Sequence, residues 1–194
     1  THSSKAGIVG RAAAWAEGLP RVVHTIHGLA FHPYERPLKN RLYIAAERFA
    51  AQRCHRIISV CDAMTAEALA AGVGRPEQYA TVYSGMETAG FLRRDHDTAT
   101  LRARLGFGPG DFVFGKVARL FELKGHAELL AAFAAIGPDY PRAKLLFVGD
   151  GVLQDALKLR AAELGIGDRV VFAGLVPREE VAAHIAAMDA VVHL

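Results

Sequence analysis

The sequence predicts an α/β fold made of two successive parallel-sheet units, each covered by helices and neither holding a complete set of strands. Three observations carry this. Short apolar runs rich in strand formers alternate with longer segments whose apolar residues recur at helical spacing. The runs are continuous, as strands buried on both faces require. The polar stretch Leu92-Arg93-Arg94-Asp95-His96-Asp97-Thr98 interrupts the rhythm and sets a domain boundary between residues 91 and 92.

Ser3 or Ser4 can cap a first helix running to about Glu17, with Ile8, Ala12 and Trp15 along one face and Gly18-Leu19-Pro20 ending it. Arg21–Ile26 reads as a strand that runs into His27-Gly28. Pro37–Arg53 reads as a helix with Leu38, Leu42, Ala45 and Phe49 on its apolar face. Arg56–Val60 is a second strand, and Asp62 caps a short Ala-rich helix ending near Gly72. Tyr79–Tyr83 is a third strand, closed by Ser84-Gly85. Beyond the boundary come a short helix about Leu101–Leu105 and a turn over residues 106–111. A strand over Phe112–Ala118 then leads to a helix marked by Leu129, Leu130, Phe133 and Ile136. Lys144–Val148 and Arg169–Gly174 are further strands, separated by a helix carrying Leu153, Ala156, Leu157 and Leu164. Val181, Ile185 and Met188 mark a last helix before a strand over Ala190–Leu194.

The 194 residues carry a net charge of +3, unevenly placed. Residues 1–97 hold 12 Lys and Arg against 9 Asp and Glu, whereas residues 98–194 hold 11 of each. Between Arg36 and Arg56 six cations face only Glu47, a run whose commonest meaning is a solvated helix face. An anionic membrane surface is its functional alternative. Nucleic acid has no aromatic interleaving to support it. Cys54 and Cys61 make neither a disulfide framework nor a zinc spacing, so a reducing cytoplasm is the expected compartment. His24, His27 and His32 lie close together, but His24 and His27 should face opposite sides of a strand, and no metal motif accompanies them. The chain begins without Met and stops inside an apolar run, so a piece of a longer protein is expected.

The informative stretch is Phe112–Ile136: strand, loop, helix, with Arg119 and Lys124 in the loop. A helix start presents unpaired N–H groups and partial positive charge, which suits an anion. A guanidinium and an ammonium added there make a clamp for a diphosphate; from this loop alone they read better as two solvated loop cations. In open α/β sheets ligands bind beyond the carboxyl ends of the strands. The suggestive residues fall there: His27-Gly28, Ser84-Gly85, Arg119, Gly149-Asp150-Gly151 and Gly174-Leu175-Val176. The second Gly pair could be a phosphate nest or a plain turn, and Asp150 reads better as turn.

Taken in order, HSSKAG (2–7), VVHTIHG (22–28), RIISVCD (56–62), VYSGME (82–87), ARLFELKG (118–125), LLFVGDG (145–151) and DRVVFAGLVP (168–177) resemble the family 4 glycosyltransferases of the two-Rossmann GT-B architecture. Ser84 stands where the family more often has Asn. The resemblance implies transfer of a sugar from a nucleotide diphosphate donor to a saccharide or lipid-linked acceptor, with retained configuration and without a metal cofactor. It implies an acceptor-side first domain and a donor-side second one. It also implies that Arg119 and Lys124 grip the donor diphosphate and that His27 is the active-site His beside the sugar. Gly28 and Gly149 would lie at the donor, and Leu175 and Val176 would line the base pocket. The family's Gly-rich opening strand should precede Thr1, and its pair of Glu residues eight apart should follow Leu194. A non-catalytic nucleotide-sugar-binding module is the alternative to an enzyme.

Overall fold

The computed structural model describes every residue from Thr1 to Leu194 except Arg94, so that part of the polar stretch lies outside the described residues. The chain divides into two compact units, Thr1–Met86 and Glu87–Leu194.

The first unit runs α1 (Ser4–Ala16), β1 (Val23–Ile26), α2 (Pro37–Ala51), β2 (Arg56–Ser59), α3 (Asp62–Ala70) and β3 (Tyr79–Thr81). Its sheet is parallel in the order β1-β2-β3, with Val23 opposite Arg56 and Ile57 opposite Tyr79. Thr1 and His2 run beside β1 in the manner of a further strand. The Thr25 N–H donates to the Thr1 carbonyl at 2.9 Å, and His2 bridges Thr25 in parallel. Val22, Ile26, Phe31, Ala51, Cys54, Ile57, Ala68 and Val73 form the core.

Two helix faces differ from expectation. On α1 the buried residues are Gly7 and Arg11, while Trp15 is exposed. On α2 they are Glu47, Ala50 and Ala51, while Leu38, Leu42 and Phe49 face outward. The cause is one ion pair. The Arg11 Nη2 donates to Glu47 Oε2 at 2.6 Å with both side chains buried, and this turns one charged residue of each helix inward while the α2 cations Lys39, Arg41 and Arg48 stay exposed. A paired, hydrogen-bonded charge can be buried where a lone one cannot. Ser3 precedes α1 but makes no side-chain cap, and Cys61 rather than Asp62 occupies the cap position of α3.

The second unit runs α4 (Ala89–Leu92), α5 (Thr98–Arg104), β4 (Phe112–Val117), α6 (His126–Ile136), β5 (Ala143–Val148), α7 (Gln154–Glu163), β6 (Val170–Gly174), α8 (Val181–Ala186) and β7 (Ala190–Val191). The four strands are parallel in the order β6-β5-β4-β7. Side-chain alternation along β5 divides the core in two. Leu145 and Phe147 join Leu120, Leu129, Leu130, Phe133 and Leu157, whereas Leu146 and Val148 join Phe107 and Val113. Asp97 caps α5, its carboxylate accepting from the Thr100 N–H at 3.0 Å.

Candidate functional site

The loop between β4 and α6 is fixed by one buried residue. Leu120 is fully buried in the core below, its N–H donates to the Asp150 carbonyl at 2.9 Å, and its own carbonyl accepts from the Leu153 N–H at 3.1 Å. Around this anchor Arg119, Phe121, Glu122, Leu123 and Lys124 are exposed. Leu123 at φ 62° and Gly125 at φ 64° turn the chain sharply into α6. Leu123 thus holds a conformation costly for a branched side chain, and such strain gathers at ligand sites. The Arg119 guanidinium lies 5.0 Å from the Phe121 ring. Among the described residues neither Arg119 nor Lys124 has an ion-pair partner.

The neighbouring strand ends close around this loop. Gly149, at φ 134°, donates to the Gly174 carbonyl at 2.8 Å, and a Cβ on it would lie 2.1 Å from the Ala118 carbonyl oxygen. A Cβ on Gly151 would lie 2.4 Å from the Leu120 carbonyl oxygen. Both glycines are demanded by backbone approach, which is the packing reading of this turn. Leu175 is 82% exposed, while Val176 is half-buried against the Phe107 and Val148 cluster. Arg119, Gly149 and Gly174-Leu175 therefore stand at adjacent carboxyl ends of β4, β5 and β6.

Two residues that the sequence reading passed over lie beneath the loop. Lys116 of β4 is 1% exposed and His126, the first residue of α6, is 2% exposed. Among the described residues the Lys116 Nζ and both ring nitrogens of His126 are buried without hydrogen-bond partners. Burial, then the charge of Lys124, pushes the Lys116 ammonium pKa down. Burial, then the charge of Lys116, pushes the His126 imidazole down. A Lys inside an apolar strand was the available signal.

His27 and Gly28 belong to the first unit. His27 follows β1, is exposed, and stacks on His2 with ring centroids 5.4 Å apart; His2 Nδ1 lies 3.1 Å from His27 Nε2. A Cβ on Gly28 would meet open space. His24, three residues earlier, is buried instead, with its pKa lowered to about 4 by burial and then by Arg11. Among the described residues no group of three or more His, Cys, Asp or Glu could hold a metal ion.

Residues 97–194 match the family of glycosyl transferases group 1, and residues 1–85 match the glycosyl transferase 4-like domain. The chain belongs to the group 1 glycosyltransferases, of the family 4 type. This glycosyltransferase chain is 32% identical over 160 residues to UDP-Gal:alpha-D-GlcNAc-diphosphoundecaprenol alpha-1,3-galactosyltransferase of Escherichia coli, covering 81% of this chain and 41% of that protein. It is 30% identical over 192 residues to 2-deoxystreptamine glucosyltransferase of Streptomyces kanamyceticus, covering 94% of this chain and 48% of the relative. Its fold matches Anabaena HepE, solved in complex with UDP and glucose, at a TM-score of 0.81 and 26% identity, over 98% of this chain and 50% of HepE. The architecture is GT-B, with the glycosyltransferase chain spanning about half the length of the relatives it matches.

Proposed function

We propose that the protein is a retaining glycosyltransferase that moves a sugar from a nucleoside diphosphate donor to a saccharide or lipid-linked saccharide. The observation that carries this reading is the pair of uncompensated cations, Arg119 and Lys124, on a loop pinned by Leu120 at the carboxyl ends of parallel strands. As a glycosyl bond breaks, negative charge builds on the departing phosphate oxygen. A fixed unit charge about 4 Å away is worth roughly 4 kcal/mol at an effective dielectric of about 20. Two such charges can take the part a metal ion plays elsewhere, so metal-independent transfer is expected. His27 acts beside the sugar, Gly28 leaves room for it, and Leu175 and Val176 border the base. UDP in HepE and the UDP-sugar in the name of the Escherichia coli relative support a nucleotide sugar as donor. The diphosphoundecaprenol acceptor of that relative supports a lipid-linked acceptor.

The test is steady-state kinetics of the full-length protein beside calorimetric binding of free nucleoside diphosphate. Arg119→Ala and Lys124→Ala should each lower turnover by about 10²–10³. The double variant should lose less than the product, because both groups act on one leaving phosphate. His27→Ala should lower turnover with a smaller effect on diphosphate affinity. Near-normal turnover and affinity in folded Arg119→Ala and Lys124→Ala proteins would remove the diphosphate clamp and the proposal with it.

A further inference from the structure

A buried ammonium without a partner is costly, and proteins keep one only where something offsets it. Among the described residues Lys116 is such a group, and neither a hydrogen bond nor an ion pair is made to its ammonium there. Its register partner on β5 is Phe147, and the β7 residues paired to β4 are Ala190 and Val191. His126 beside it stacks on Phe147 with ring centroids 5.3 Å apart and offers no charge of opposite sign. Lys124 is the charged group that presses on Lys116, and His126 feels Lys116, Lys124 and the single acid Glu128. Among the described residues the charges acting on this pair are thus Lys124 and the exposed Glu128 of α6, while Glu122 of the loop above is exposed as well. Three unpartnered polar atoms converge under the start of an eleven-residue helix, which adds its own partial positive charge.

We propose that Lys116 is a third cation of the diphosphate site, acting on the donor's anion from beneath the Arg119–Lys124 loop, with neutral His126 filling the space beside it. This rests on the donor reading above and deepens it. Arg119 and Lys124 meet the anion at the surface; Lys116 supplies a field through the apolar interior, where charge is weakly screened. The proton balance follows. In the free protein Lys116 holds its proton less tightly than an ordinary lysine, and an anion overhead tightens that hold. Binding at alkaline pH thus takes up a proton, and affinity falls as pH rises past the point where Lys116 of the free protein deprotonates.

The experiment titrates the full-length protein with UDP, GDP and ADP. The diphosphate that binds is then compared with its own nucleoside in wild type and Lys116→Met. The expected result is a loss of about 10- to 50-fold in diphosphate affinity, unchanged nucleoside affinity, and a flatter alkaline pH dependence. Removing the buried charge should raise Tm by roughly 2–6 °C even as affinity falls. A merely structural role would weaken diphosphate and nucleoside together. Equal losses for both, or an unchanged diphosphate affinity in folded Lys116→Met, overturns the inference while leaving the donor reading intact. Absence of binding by all three diphosphates to wild type overturns the donor reading and this inference with it. Lys116→Gln, which keeps a polar group of similar length, carries the same comparison if the Met variant does not fold.

Discussion

Gly149 shows how the backbone alone can demand a residue that the resemblance assigns to a site. The resemblance implies a place at the donor, and the backbone explains why only glycine stands there. Its φ of 134° suits no side chain, and a Cβ would overlap the Ala118 carbonyl, which cannot swing aside as a side-chain tip would. Gly149→Ala should therefore cost about 2–4 kcal/mol of stability. It should also displace Arg119, whose backbone nitrogen lies 3.6 Å from the would-be Cβ. Chemical denaturation read beside diphosphate affinity checks this: both should fall together, and a stable variant with normal affinity would refute it. Arg119, Lys124 and the glycine turn were legible because residue type and order announce them. Lys116 and His126 were passed over: a Lys inside an apolar strand was a signal, but it does not say whether the ammonium stays in the core or reaches solvent at the strand's end. The stacking of His2 on His27 was hidden too, since it depends on two strand ends that are neighbours in space and 25 residues apart in the chain.

At the scale of elements, strands were read more surely than helix faces. A continuous apolar run states its own burial, and β4 and β5 fall where such runs stand. Helices α1 and α2 mislead because they meet through the Arg11–Glu47 ion pair and bury Gly7, Ala50 and Ala51 beside it, small or charged residues that no hydrophobic periodicity records. The outcome bears on α2. Its one acid is turned inward, so its outer surface shows Leu38, Leu42 and Phe49 among cations, with the Arg53 guanidinium 3.5 Å over the Phe49 ring. An apolar stripe flanked by cations is what an interfacial helix presents to anionic lipid. Among the described residues no helix is long and apolar enough to cross a membrane. Arg41→Glu with Leu42→Ser should weaken sedimentation with phosphatidylglycerol vesicles, each lost surface cation being worth about 1 kcal/mol. Diphosphate affinity should hold. Arg48 is a poorer choice, since its Nε donates to the Ala71 carbonyl at 2.7 Å and its loss would disturb packing. Unaltered sedimentation would return the helix to solvent.

Across the whole molecule each unit carries its own core and buries histidine, His24 in the first and both His126 and His184 in the second. His24 is held near 4 against 6.5, and His126 is shifted the same way. The sign follows from proton counting. Between the folded and unfolded values the unfolded chain binds more protons, so stability is fully present above about pH 6.5 and is lost as pH falls toward about 4. His24 alone accounts for roughly 2–3 kcal/mol over that window. Urea midpoints measured from pH 7 to pH 4 should decline, and His24→Gln should flatten the decline; a flat wild-type profile would contradict the assignment. The division after Met86 has a separate consequence for ancestry. Leu120 and its two backbone partners, the glycine turn and the Gly174 end all lie on the same side of that division, so the loop that carries Arg119 and Lys124 is braced within the second unit. Recombination at the junction would leave both cores whole. A lineage could then exchange one half while inheriting the other with its braced loop, and diversity could arise by reshuffling halves rather than by rebuilding a loop.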